Sequence, residues 1–298
     1  MERGTIDLGS LVEGVDLRLT LESGQSYGWR RVDGDMFDGG DGATYETVAD
    51  GMAIRVTQTD GHLEWRATDD AVEAIMRLLR LDDDLEQIYE QLPDDPLVQN
   101  AIERYRGMRL VRDPVFPCLI SFICSAQMRV ERIYQMQRSL AETYGEPLEL
   151  GQETVYAFPT PEQLAEATET ELRDLGLGYR APYVRETAEM VSEGVDPTAA
   201  SEYDFEDART YLTQFTGVGD KVADCVLLFS LGFLQAVPLD TWIRKAIAQT
   251  YPDCDRGSYA ETSRAIRAKF GETYAGYAQT YVFHALRTGD GEYTNTVT

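Results

Sequence analysis

The hydrophobic pattern of the chain changes period once. Between residues 15 and 68, apolar and polar positions alternate, as in Val15-Asp-Leu-Arg-Leu-Thr-Leu21, Met52-Ala-Ile-Arg-Val-Thr57 and His62-Leu-Glu-Trp-Arg66. A period of two predicts strands with one buried face. Asp33-Gly, Asp38-Gly-Gly and Asp60-Gly61 read as turns between them, so a small antiparallel sheet is expected here. From Asp69 the period lengthens. Helices are expected over 70–80, 84–91, 95–107 and 115–127, with breaks at Pro93, Pro96, Pro114 and Pro117. Three more are expected over 241–251, 258–270 and 274–286, while 139–175 and 193–208 read as acidic helices and connectors. The expected fold class is therefore α+β. An N-terminal antiparallel β-sheet domain with its following helices occupies 1–98, a mostly α-helical region 99–290, and a disordered tail 291–298.

One unit inside the helical region stands out. Phe205 to Phe215 has the spacing of a short amphipathic helix, and Asp220 to Leu231 that of a second, largely apolar one ended by Gly232. Between them Gly217-Val218-Gly219 supplies a tight turn that glycine takes at little cost. This is a helix-hairpin-helix over about 205–232, whose backbone N–H groups at a helix N-terminus suit a phosphate. Lys221 lies in the first turn of the second helix, where the macrodipole disfavours a cation. A lysine amine in its neutral form is a nucleophile that can build a Schiff base. Cys225 is one turn on and on the same face. Asp240 follows at a Pro-Leu-Asp-Thr junction with the character of a helix N-cap. Each residue alone also fits a plainer role, a lysine covering the helix with its stem or an aspartate that only caps. The pair on one hairpin is more specific.

Composition narrows the class. No stretch reaches the apolar length of a membrane span and the N-terminus lacks a signal-peptide pattern, so a cytoplasmic protein is expected. The cysteines at 118, 124, 225 and 254 form no CxxC pair, which argues against a zinc ribbon or a disulfide framework. His62 and His284 give no basis for a metal site or a triad. The net charge of −25 is uneven. Residues 1–99 carry 23 acids against 8 bases and 139–216 carry 17 against 4, whereas 100–138 hold 7 Arg against 3 acids and 217–298 are nearly balanced. The two segments spared the acid are those expected to face phosphate. With 24 Arg and only 3 Lys, the surface fits a salt-rich cytoplasm and a halophilic source. Counterion release would then add little to nucleic-acid affinity.

Gly217-Val-Gly-Asp-Lys-Val-Ala-Asp-Cys225 with Gln235-Ala-Val-Pro-Leu-Asp240 resembles the hairpin–Gly/Pro–Asp signature of the HhH-GPD base-excision DNA glycosylases, most closely the 8-oxoguanine DNA glycosylase/lyases. The resemblance extends over nearly the whole chain, the N-terminal sheet included. It implies that Lys221 attacks the sugar C1′ and that Asp240 assists and stabilises the developing oxocarbenium charge. In Ser23-Gly-Gln-Ser-Tyr-Gly-Trp29 it implies that Gly24 offers its carbonyl to the N7–H of the oxidised base. In Tyr274-Ala-Gly-Tyr-Ala-Gln-Thr-Tyr-Val-Phe-His284, Gln279 would read the base edge and Phe283 would stack on it, with Cys225 in the same pocket.

The resemblance further implies an opposite-base and wedge group. Arg132 and Arg180 would hold the orphaned cytosine, and Tyr179 would plug the duplex. Two positions depart from the family: Gln127 stands where an asparagine usually bonds the cytosine, and Trp242 replaces a phosphate-binding histidine. The implied partner is double-stranded DNA with a damaged purine, bound by a monomer without metal, organic cofactor or iron–sulfur cluster. Plainer roles stay open at single positions: a hairpin glycine at 24, core packing at Phe283 and Tyr179, phosphate contact at the arginines. At the level of the whole chain, the alternatives are a broader purine or alkyl-base glycosylase and a non-catalytic hairpin DNA-binding protein.

Overall fold

Strict alternation in His62–Ala67 turns Leu63, Trp65 and Ala67 inward and leaves His62, Glu64 and Arg66 in solvent, as a half-buried strand requires. In the computed structural model, which describes residues 1–11, 14–39 and 44–288, this segment is β5 of a five-stranded antiparallel sheet. Its other strands are β1 (Glu2–Asp7), β2 (Arg30–Arg31), β3 (Thr44–Ala49) and β4 (Met52–Thr59). The spatial order is β1-β5-β4-β3-β2, with Val56 opposite Trp65 and Tyr45 opposite Val56 across the ladders.

Val15–Leu21 is not a strand, contrary to its alternation. Asp16 caps a short helix, α1 (Leu17–Glu22), by accepting from the Leu19 N–H at 2.7 Å. Asp16 and Arg18 stay partly exposed, but the next two polar residues are buried with the leucines: Thr20 accepts from the Arg109 N–H at 3.0 Å and Glu22 accepts from Tyr45 Oη at 2.7 Å. A helix of six residues is too short for its period to be told from that of a strand. The edge strand β1 escaped prediction for the opposite reason, because it has no fully buried residue.

Helices follow: α2 (Val72–Leu78), α3 (Leu85–Gln91), α4 (Pro96–Arg104), α5 (Val115–Cys124) and α6 (Val130–Tyr144). Inside the acidic stretch a hairpin of β6 (Pro147–Leu150) and β7 (Glu153–Tyr156) precedes α7 (Pro161–Glu166) and α8 (Glu169–Asp174). Then come α9 (Ala181–Ser192), α10 (Phe205–Leu212), α11 (Asp220–Val226), α12 (Thr241–Thr250), α13 (Tyr259–Lys269) and α14 (Ala275–Arg287). One core of buried side chains runs through both the sheet and the helices, from Leu8 to Ala285. The helix α5 is buried from Cys118 to Cys124, as expected from its apolar run.

The second hairpin helix does not end regularly. After α11 the chain widens into a π-helical turn, Leu227–Leu231, closed by Gly232 at φ 83°. The carbonyl of Phe229 accepts the Asp113 N–H at 2.8 Å, and Ser230 Oγ donates to the Asp113 carbonyl at 2.6 Å. Among the described residues no helix is long and apolar enough to cross a membrane. The expected tail, 291–298, and residues 289–290 lie outside the described residues.

Candidate active site

The hairpin is built as its sequence predicts, from α10 and α11 around Gly217 and Gly219. Gly217 has φ 83°, and a Cβ there would lie 2.8 Å from Tyr183 Cβ, so both the conformation and the close approach require glycine. Gly219 is the N-cap of α11. Val218 is buried and its N–H donates to the Phe215 carbonyl at 3.1 Å, so its amide is already engaged within the turn.

Lys221 leaves the first turn of α11 toward the end of α5. Its Nζ donates to Ser125 Oγ at 2.9 Å and lies 5.3 Å from the centre of the Phe122 ring. Ser125 in turn donates to the Phe122 carbonyl at 2.7 Å, which aims an oxygen lone pair at the amine. Asp240 caps α12, accepting the Ile243 N–H at 2.8 Å on Oδ1. Burial raises its carboxyl above the usual range, opposed by the Ile243 amide and by the charge of Lys221. Burial also pushes the Cys225 thiol up to about 12, with the Lys221 charge opposing. A thiol so raised stays protonated near neutrality.

These groups open onto one cavity of about 1000 Å³. Lys221, Cys225 and Asp240 line it together with Gly24 from the loop after α1 and with Gln279 and Phe283 from α14. Gln279 and Phe283 share a face of α14, the glutamine almost fully buried and the phenylalanine partly so. Gly24 has φ 92°, and a Cβ there would meet Val130 Cγ1 at 2.9 Å and Phe283 Cε1 at 3.6 Å. Gln127 and Trp242 reach the same cavity from its mouth, and Gly217 and Gly219 border it. Gln127 has a left-handed φ of 54°, a conformation that suits asparagine better than glutamine.

Arg132, Tyr179 and Arg180, expected at the opposite base and wedge, do not line the cavity, unlike Gln127. Arg132 is exposed on α6 and packs over the Gly176–Arg180 turn, where a Cβ on Gly176 would touch its guanidinium. Tyr179 is 51% exposed at the tip of that turn, edge-on to Tyr183, and so is not a core residue. Arg180 is only 3% exposed. It donates to the Ala126 carbonyl and lies 4.3 Å from the centre of the Tyr179 ring. Its guanidinium is thus turned under the turn instead of outward, held by that carbonyl and the aromatic face.

Sequence reasoning gave no role to Ser125 or Phe122, although both lie in the helix expected over 115–127. The Ser125 contact with Lys221 spans 96 residues, and neither contact has a local signal. Arg287 was also missed. It lines the cavity one turn beyond Phe283 and donates to the Glu22 carbonyl at 2.9 Å, tying α14 to the loop that carries Gly24. Among the described residues no group of three metal-binding side chains comes together.

A helix-hairpin-helix set into a helical body, with a cavity between it and an antiparallel sheet domain, defines a base-excision DNA glycosylase fold. The HhH-GPD superfamily model of base excision DNA repair proteins matches residues 120–272, and the N-terminal domain model of 8-oxoguanine DNA glycosylase matches residues 9–119. The chain is 32% identical over 305 residues to a probable N-glycosylase/DNA lyase of Methanothermobacter thermautotrophicus, covering 92% of this chain and 94% of that one. It is 27% identical to the N-glycosylase/DNA lyase OGG1 of Arabidopsis thaliana, over 91% of this chain and 77% of that one. Among solved structures, the 8-oxoguanine glycosylase/lyase of Clostridium acetobutylicum, bound to double-stranded DNA with cytosine opposite 8-oxoguanine, superposes with a TM-score of 0.82. Its identity is 28%, over 93% of each chain. The chain therefore belongs to the HhH-GPD superfamily of base excision DNA repair proteins, as an N-glycosylase/DNA lyase of the 8-oxoguanine DNA glycosylase type.

Proposed function

We propose that the protein, acting as a cytoplasmic monomer, excises 8-oxoguanine opposite cytosine from double-stranded DNA, with Lys221 as nucleophile and Asp240 assisting. One observation carries this reading: the amine of Lys221 and the carboxyl of Asp240 open into the same cavity as Gly24, Gln279 and Phe283. The purine enters that cavity by rotating out of the duplex, its place filled by Tyr179. Lys221 Nζ forms a bond to C1′ while the C1′–N9 bond breaks and its electron pair leaves with the base. Asp240, ionised, faces the positive charge that develops on the sugar. Opening of the sugar ring gives an imine, and loss of a C2′ proton then expels the 3′ phosphate. The Gly24 carbonyl would accept from N7–H, a donor that guanine lacks. Arg132 and Arg180 would receive the cytosine, the latter after its guanidinium leaves the Ala126 carbonyl.

The lysine-poor acidic surface supports work at high salt, where affinity rests on shape and inserted side chains more than on released counterions. Trp242 on the cavity wall favours a second reading, a broader purine specificity.

Borohydride trapping on duplexes with 8-oxoguanine opposite each of the four bases tests the proposal. Wild type is expected to form a covalent adduct, strongest opposite cytosine, and Lys221→Gln none. Asp240→Asn is expected to keep DNA binding and lose most turnover. An undiminished adduct in Lys221→Gln removes the nucleophile, and excision of an alkylated purine by wild type in the same assay supports the broader reading.

A further inference from the structure

The residue preceding Asp240 is tethered to the lysine-bearing helix by a buried chain of hydrogen bonds that runs behind the cavity. Asp224 is fully buried on α11, three residues after Lys221. Arg209 on α10 grips it, with Nε 2.7 Å from Oδ1 and Nη2 3.3 Å from Oδ2, and Nη2 also donates to Ser263 Oγ at 2.9 Å. Tyr259, the first residue of α13, donates its hydroxyl to Asp224 Oδ2 at 2.8 Å. The same phenol oxygen accepts the backbone N–H of Leu239 at 3.1 Å. The Leu239 carbonyl accepts from Arg244 Nε at 3.2 Å. Both peptide groups of Leu239 are therefore held, and the next residue is Asp240.

Satisfying the Leu239 N–H does not by itself call for this assembly, since any buried acceptor would do. The chain observed links three elements, α10, α11 and α13, to one backbone position. Two guanidinium groups lie over the ring of Tyr259, with Arg209 Cζ at 5.4 Å and Arg244 Cζ at 5.7 Å from its centre. Donation to a carboxylate polarises the phenol and makes its oxygen a better acceptor for the amide. The Asp240 carboxyl is itself restrained by the first-turn amides of α12, those of Trp242 and Ile243. Its distance from the amine of Lys221 is set by where Leu239 is pinned relative to α11.

We propose that Tyr259, backed by Asp224 and Arg209, is a positioning residue that sets the Asp240 carboxylate against Lys221 for base excision. This rests on the assignment of Lys221 and Asp240 proposed above. Excision needs a carboxylate in register with a developing oxocarbenium charge. Imine formation at a preformed abasic site does not, because its C1′ is already a carbonyl carbon in the open sugar and Lys221 alone can attack it.

The two steps are therefore measured separately in Tyr259→Phe. The assays are single-turnover excision of 8-oxoguanine opposite cytosine, borohydride trapping on a preformed abasic duplex, and affinity for a duplex with a non-hydrolysable 2′-fluoro lesion. Excision is expected to fall about 10- to 100-fold, as for a misplacement of an ångström or less, with trapping and affinity within about threefold of wild type. Excision within about twofold of wild type, or excision and trapping falling in parallel with a lowered Tm, overturns the proposal. If Tyr259→Phe does not fold, Ser263→Ala removes only the outer acceptor of Arg209. It is expected to slow excision by about threefold without changing trapping, and equal excision rates would overturn the proposal. A wild type that neither excises nor traps fails the parent reading. A competent wild type with an equally competent Tyr259→Phe fails this one alone.

Discussion

Lys221 Nζ and Ser125 Oγ meet at 2.9 Å across 96 residues of sequence, and the serine proton is committed to the Phe122 carbonyl. The hydroxyl therefore acts toward the amine only as an acceptor, and it aims the amine without adding a negative charge. Ser125→Ala is expected to slow borohydride adduct formation by roughly 3- to 10-fold, the equivalent of one ordinary hydrogen bond. Stability should change little. A trapping rate equal to wild type would show that the amine finds its position without the serine.

Gly24→Ala is expected to be severe for its size. The residue has φ 92°, and the added methyl meets Val130 Cγ1 at 2.9 Å, with the Phe283 ring in contact at 3.6 Å. Backbone strain at such a position costs on the order of 1–3 kcal/mol. Excision of 8-oxoguanine should fall much further than affinity for undamaged duplex. The two measurements together separate damage to the pocket from general unfolding.

Gln127→Asn addresses a non-glycine residue at φ 54°. Asparagine tolerates this region better, so the variant should gain about 0.5–1 kcal/mol in urea unfolding. Its shorter amide is also expected to sharpen the preference for cytosine over adenine opposite the lesion, read as the ratio of excision rates on the two duplexes. A ratio below that of wild type would argue that the longer side chain already reads the base.

Asp113 gives a pH dependence with a definite sign. Burial raises its carboxyl from 3.8 to about 7, opposed by the Ser26 hydroxyl that donates to Oδ2 at 2.6 Å. Between those values the folded state binds a proton that the unfolded state has released. The favourable contribution is thus complete below about pH 4 and is lost as pH rises through about 7, at up to about 1.4 kcal/mol per pH unit. Asp113→Asn should flatten that part of the curve. The check is the difference between wild-type and variant unfolding free energies at pH 5 and pH 8. A constant difference would refute it.

Much of the site was legible because its chemistry sits in local motifs. Gly217 takes a left-handed turn that favours glycine, Gly219 and Lys221 follow it at the N-terminus of α11, and Asp240 is an N-cap, so each has a signature within a few residues. Helical spacing put Gln279 and Phe283 on one face of α14, but their place in the pocket came only from the family resemblance. Ser125 and Arg287 were not legible, because what gives them meaning is contact with residues far away in the chain. Alternation identified β4 and β5 but misread Val15–Leu21, which Asp16 caps into a helix too short to show its own period and whose Thr20 is buried against the segment around Arg109. The hairpin of β6 and β7 was hidden inside an acidic stretch whose charge signalled exposure without signalling conformation.

The widened turn at Leu227–Leu231 has a consequence for how the enzyme can diverge. By hydrogen-bonding Phe229 and Ser230 to the backbone of Asp113, it clamps the run from Lys221 to Asp240 at its midpoint. Removing a single residue there would restore an ordinary helical turn and rotate everything downstream by about 100°. The carboxylate would swing off the amine while the fold stayed recognisable. Length variation among descendants of this chain is therefore expected to accumulate in the exposed connectors, and the spacing between positions 221 and 240 to stay frozen.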